Sequence, residues 1–226
     1  MTRRRSDVNK EWSDMNKEVQ LLLKKESSFS DGINTLLTLR QTLLNEMLSF
    51  KDRLSNENFS AMPFPKADGY HCKTVAYSLW HIFRIEDIVL HTLILGDEQV
   101  LFSDGFDKRI NSPIITTGNE LVGEEIAEFS KKLDIGELYA YLKAVINSSE
   151  AWLKKLTFGE LKNKISAENR GRLISLNVVS ESENAAWLVD YWCKKDIRGL
   201  IHMPFSRHWI MHTEACERIS HSYLLC

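Results

Sequence analysis

Between Ser30 and Leu54 the side chains Ile33, Leu36, Leu37, Leu43, Leu44, Met47, Leu48 and Leu54 recur at helical spacing, with Arg40 in the same stripe. A stripe this long belongs to a helix with its apolar face covered along its whole length, so it needs partners of comparable length. The chain can supply them, because only four Pro and ten Gly interrupt 226 residues. From Val8 to Lys25, Trp12, Met15, Val19, Leu22 and Leu23 define an amphipathic helix laid against the main body. Ser27-Ser28 interrupts it, and Ser30 can cap the next helix. A third helix runs from about Thr74 to Leu95 and stops at Gly96. Asp134 with Glu137 offers a capping box to a fourth long helix, with Leu138, Leu142, Val145, Ile146, Trp152, Leu153 and Leu156 inward.

The rest is connection and periphery. Residues 55 to 72 hold two prolines, a glycine and several Asn or Asp, and read as a loop. Between Gly96 and Asp134 lies a long connection, in which TTGNE predicts a short capped helix after Thr117. Residues 157 to 182 are mixed, with RLISLNVVS as a candidate extended piece. Ser180 with Glu183 caps a helix carrying Trp187, Leu188, Tyr191 and Trp192, and Pro204 and Ser206 mark the start of the last helix. The expectation is an all-α protein: a four-helix bundle with a long crossover between the second and third main helices, plus peripheral helices. Residues 1–28 form the N-terminal amphipathic helix packed on the body, and residues 29–226 form the bundle domain.

Composition narrows the function classes. A hydrophobic fraction of 43% with 27% charged residues is that of a globular protein. The net charge is -2, and the basic residues are scattered apart from Arg3-Arg4-Arg5. No broad basic face results, so no nucleic-acid partner is expected. The four cysteines, Cys72, Cys193, Cys216 and Cys226, lie far apart with no CxxC. The start is too polar for a secretory leader, and no apolar run approaches the roughly 18 residues of a membrane span. Reduced thiols, a cytoplasmic setting and no membrane partner follow as expectations.

The chemistry is concentrated in SRHWIMHTEACERI, residues 206 to 219. In a helix a four-residue step rotates about 400° and rises about 6 Å, so His208 and His212 point the same way from successive turns. That spacing lets two imidazole nitrogens converge on one ion at about 2.0–2.1 Å. Two histidines bonded to carbonyls or water are the plainer explanation of the pair alone. Phe205, Trp209, Met211, Ala215, Cys216 and Ile219 place this helix in a packed interior, however. An unpaired polar ring there costs on the order of 1–3 kcal/mol, and a shared cation satisfies both.

His81, within AYSLWHIFRIEDIVL, is the best third ligand, because Tyr77, Ile85 and Ile88 share its face. Taken alone it reads as a satisfied core histidine. His91 is rotated about 80° from it and reads as peripheral. His71 and His202 fall in loops and His221 near the terminus, all three reading as solvent-exposed. Cys216 sits about 12 Å along the axis from His208, too far to share its ion, and reads as core. HExxH, GxSxG, the P-loop and GxGxxG are absent from the sequence. No general base is identifiable; Glu86 is rotated about 140° from His81.

A helical bundle with one His in SLWHIFRIED and HxxxH in SRHWIMHTEACERI resembles the DinB/YfiT-like superfamily of metalloenzymes, over about residues 30 to 222. The resemblance implies a divalent metal held by His81, His208 and His212 at one end of the bundle, with water completing the shell. Three neutral imidazoles with an open position are the arrangement of a catalytic zinc site, with nickel, iron or manganese as alternatives because such donors select weakly. The resemblance also implies a homodimer, and a small-molecule substrate handled with a low-molecular-weight thiol, by hydrolysis or thiol transfer. The rival expectation is a non-catalytic helical interaction module with structural histidines.

Overall fold

The structure, a computed structural model, describes residues 5–224. Met1 to Arg4, with the beginning of the Arg3-Arg4-Arg5 run, and Cys226 lie outside the described residues. Within them the chain is helical, with no strand and one isolated bridge between Lys164 and Asp196. Helix α1 spans Arg5–Leu22 and α2 spans Phe29–Arg53. A turn of 3-10 helix joins them at Glu26–Ser28, where the Ser28 hydroxyl donates to the Leu22 carbonyl at 2.7 Å. The cap position of α2 is Ser28, not Ser30, and no side chain caps it. Helix α1 packs along α2 and buries Trp12, Val19 and Leu23 there, so its apolar face is used within the chain.

Helix α3, Val75–Asp87, begins where the Thr74 hydroxyl accepts the Tyr77 amide at 3.0 Å. It runs directly into a π-helical stretch at Ile88–Leu95 and ends at Gly96, with φ +71°. A Cβ there would lie 2.8 Å from Asn169 Oδ1, so both backbone conformation and space favour glycine. Every side chain from Val75 to Leu93 is buried, which makes α3 the central rod.

The TTGNE segment departs from its expected helix. The Thr117 hydroxyl accepts the Asn119 amide, Glu120 turns back to the Thr116 hydroxyl, and Gly118 takes φ +82°. The competing side-chain bonds hold an irregular loop, and helix α4 begins only at Glu124, spanning Glu124–Lys132. Helix α5 is Ile135–Leu153, capped by the Asp134 carboxylate on the Glu137 amide at 2.9 Å.

RLISLNVVS is not extended. Its first four residues complete α6, Ala167–Ser175, which Ser166 caps and from which Leu173 reaches the core. Asn177, at φ +51°, turns the chain, so the β-branched Val178 and Val179 fall outside the helix. Helix α7 is Glu183–Cys193, with Ser182 rather than Ser180 at its cap position. A second π-helical stretch, Met203–Arg207, leads into α8, His208–Leu224.

Helix α3 packs on α5 and α8, and α8 packs on α2. One buried polar knot ties these four rods. The Arg40 guanidinium forks onto Glu86 at 2.8 and 3.0 Å and donates to Ser149 Oγ and the Phe205 carbonyl. Trp209 Nε1 donates to the same Glu86 carboxylate at 2.7 Å, and the guanidinium carbon stands 4.0 Å over the Trp209 ring. This explains the arginine in the apolar stripe of α2: its charge is neutralised and nearly all its donors are engaged. Because Trp209 follows His208, the knot also fixes the start of α8.

Candidate functional site

His81, His208 and His212 come together. Each offers a ring nitrogen, and these three atoms lie within 4.8 Å of one another. The ring centroids stand 4.9 Å (His81–His208), 4.9 Å (His81–His212) and 4.7 Å (His208–His212) apart. All three side chains are buried, at 5%, 6% and 5% exposure, deep enough that an unpaired imidazole is costly.

The tautomer of His81 follows from its partner. Its Nδ1 lies 2.7 Å from the Thr117 carbonyl oxygen, which can only accept, so Nδ1 carries the proton and Nε2 keeps its lone pair. Carbonyl or carboxylate anchoring of the far nitrogen is the arrangement that orients metal-ligating histidines. The anchor belongs to a strap running along α3. Arg84 Nε donates to the Ile115 carbonyl at 2.7 Å, Trp80 Nε1 to Thr116 at 3.2 Å, and the Tyr77 hydroxyl to Gly118 at 3.0 Å. Four successive carbonyls thus meet four donors from consecutive turns of one helix face.

His208 and His212 have no such anchors. Their Nδ1 atoms are buried and make no hydrogen bond. Burial drives the pKa of both well below the ordinary histidine value, with His81 adding to the effect on each and His208 on His212. Burial also takes His81 down to about 4, the Thr117 carbonyl opposing and Lys73 reinforcing the shift. Three neutral imidazoles with unshared lone pairs are therefore gathered in one buried place.

Other side chains close around the cluster. The Tyr77 ring stacks on His81 at 5.4 Å with planes 12° apart, and Tyr70 stands 5.8 Å from His212. Tyr70 in turn meets the His71 ring at 4.6 Å, the planes tilted by 42°. This turn at Gly69–Cys72 packs on α8, so His71 is half-buried instead of solvent-exposed. His202 is also half-buried, and burial lowers its pKa to about 4. His91 is buried too, not peripheral: Nδ1 meets Asp97 at 2.7 Å and Nε2 meets Ser148 at 2.9 Å, away from the cluster. His221 is exposed, and Cys216 is a core residue whose thiol burial pushes up to about 12.

Neither acid–base neighbour of His81 is free to act. Glu86 is held by Arg40 and Trp209, and the Tyr77 hydroxyl is spent on Gly118, its pKa raised by burial. Tyr70, His71, Lys73 and the strap were not legible as site residues. A hint of the strap lies in the donors Tyr77, Trp80, His81 and Arg84, which share one helix face.

No protein-family model and no curated protein match this chain. Among the described residues no helix is long and apolar enough to cross a membrane.

Proposed function

We propose that this protein is a metal-dependent enzyme in which His81, His208 and His212 hold one divalent transition ion, zinc by default, in the manner of the DinB-like superfamily. The observation that carries the reading is the buried cluster of three neutral imidazoles, each with one ring nitrogen within 4.8 Å of the others'. The donor set fits such an ion. Two bonds of about 2.1 Å at a tetrahedral angle set their nitrogens about 3.4 Å apart, so rings whose nitrogens lie within 4.8 Å of one another close on the ion by side-chain rotation. Three protein ligands with a fourth position open mark a catalytic rather than a structural site. Nickel, iron or manganese suits the same donors, since imidazole selects weakly.

A bound ion would supply Lewis acidity, lowering the pKa of a coordinated water or small thiol for hydrolysis or thiol transfer. The chain's own residues do the rest. Thr117 fixes the ring of His81 through the Nδ1 proton. Tyr77 and Tyr70 restrict solvent on two sides, and the Arg40–Glu86–Trp209 knot sets the depth of α8. The fold supports the analogy: α2, α3, α5 and α8 would be the four bundle helices, with residues 96–134 as the crossover.

Metal analysis of the purified protein tests this directly. The expected content is close to one equivalent of a transition metal, lost in His81→Ala and in His208→Ala. A folded protein that stays metal-free and resists loading with zinc, nickel, iron(II) and manganese would overturn the reading.

A further inference from the structure

Next to the histidine cluster lies a second space, of about 180 Å³. Ile85 of α3, Pro204 of the π-helical stretch, and Leu188, Tyr191 and Trp192 of α7 form its walls, while His81 and His208 belong to the same lining. Trp187, 51% exposed, stands at its edge, its indole nitrogen spent on the Asn184 carbonyl at 2.9 Å. None of the lining side chains is acidic or basic apart from the two histidines. The remaining side-chain polar groups of the lining include the Trp192 indole N–H and Asn119, whose Oδ1 already accepts the Thr117 hydroxyl at 2.9 Å.

The geometry points to a specificity pocket for one small, uncharged, apolar group of the substrate, an aryl ring or short alkyl chain, with the substrate's polar head at His81 and His208. Size sets the first limit. An apolar cavity of about 150 Å³ accommodates benzene, so this one has room for a single ring. Charge sets the second. An ionised substituent would lose its water with no counter-charge on the walls, a large penalty. The aromatic walls favour an aryl group over a branched alkyl one of equal area, through edge and offset ring contacts.

The preference for an apolar group does not depend on the metal, whereas the placement of the head group rests on the proposed function above. The experiment separates them. In the first arm, ¹³C-methyl resonances of Ile85 and Met203 (also in the lining) are followed in the full-length, metal-free protein. Benzyl alcohol should shift both saturably, and benzylammonium should not. In the second arm, cobalt-loaded protein is titrated with acetohydroxamic and phenylacetohydroxamic acids and read by its visible spectrum. The phenyl compound should bind roughly 30-fold tighter, as expected for burying a ring. Leu188→Trp, which fills the space, should erase that ratio without altering the cobalt spectrum; if it does not fold, Ile85→Phe serves instead. Equal affinities for the two hydroxamates, or no saturable shift with benzyl alcohol, overturn the pocket and leave the metal centre intact. Failure to take up cobalt, with benzyl alcohol still bound, overturns the metal centre and leaves the pocket.

Discussion

Tyr77 and Gly118 grip each other twice: the Tyr77 hydroxyl donates to the Gly118 carbonyl at 3.0 Å, and a Cβ on Gly118 would sit 3.0 Å from the same tyrosine ring. The strap can lie against α3 only because position 118 has no side chain and takes φ +82°. The preceding carbonyl, of Thr117, anchors His81. Gly118→Val should therefore push the strap off α3 and release the His81 ring while leaving the long helices in place. The expected result is a metal affinity about 10-fold weaker, in line with the loss of a ligand's outer anchor. Competition against a chromogenic chelator measures it, and unchanged affinity would show that the strap does not orient His81.

Glu86 lies five residues beyond His81, and its carboxylate is spent on the fold. Replacing it alone strips the fully buried Arg40 of its forked partner and leaves only Glu150, 4.0 Å from its Nε, to offset the charge, so Glu86→Ala should cost about 3 kcal/mol in urea unfolding. Replacing both partners with apolar residues, Arg40→Met with Glu86→Leu, should recover much of that loss. If Glu86 instead served chemistry, Glu86→Gln would abolish turnover without changing stability.

How much was readable follows from what kind of signal each feature leaves. The long helices leave apolar period, and the cap at Asp134 leaves a carboxylate three residues before the amide it accepts. The nearness of His81 to His208 and His212 was legible because both stretches are apolar, so inward-facing histidines had to meet something. The strap was not legible: its acceptors are main-chain carbonyls, which every sequence has. Nor were the π-helical stretches at Ile88–Leu95 and Met203–Arg207, since periodicity sees a mean turn and not a local widening. His71 and His202 read as exposed because loop position was taken for solvent, yet the turn holding His71 is pressed onto α8.

A carboxyl cluster between α1, α2 and α8 gives a pH effect of its own. Glu46 and Glu217 share Arg53, and Glu46 is raised from 4.5 to about 7, first by burial and then by Glu217, with Arg53 opposing. The folded chain therefore holds a proton on Glu46 between 4.5 and 7 that the unfolded chain has released. Stability should fall as pH rises through that window and level off above it. The cleft is partly open to solvent, so the effect is screened to about 1 kcal/mol. Glu46→Gln should remove it and leave the protein more stable than the parent at pH 8. Chemical denaturation at pH 5 and pH 8 for both proteins gives the comparison.

The histidines act in the opposite sense. In the unfolded chain each titrates near 6.5, whereas burial brings His81 and His202 to about 4 and takes His208 and His212 well below 6.5. Across pH 6.5 to 4 the folded, metal-free chain holds fewer protons than the unfolded one. Stability therefore rises with pH through this window and is lost as pH falls through it, by up to about 1.4 kcal/mol per pH unit for each such histidine. Metal should add stability above pH 6.5, where the imidazoles are already neutral, and that increment should shrink as protons compete for the same lone pairs. Thermal unfolding with excess zinc and with chelator, from pH 8 down to pH 4.5, should give two curves that converge toward the acid end. His208→Ala should lie on a single curve with or without zinc. Parallel curves would mean that the ion binds somewhere other than on these three rings.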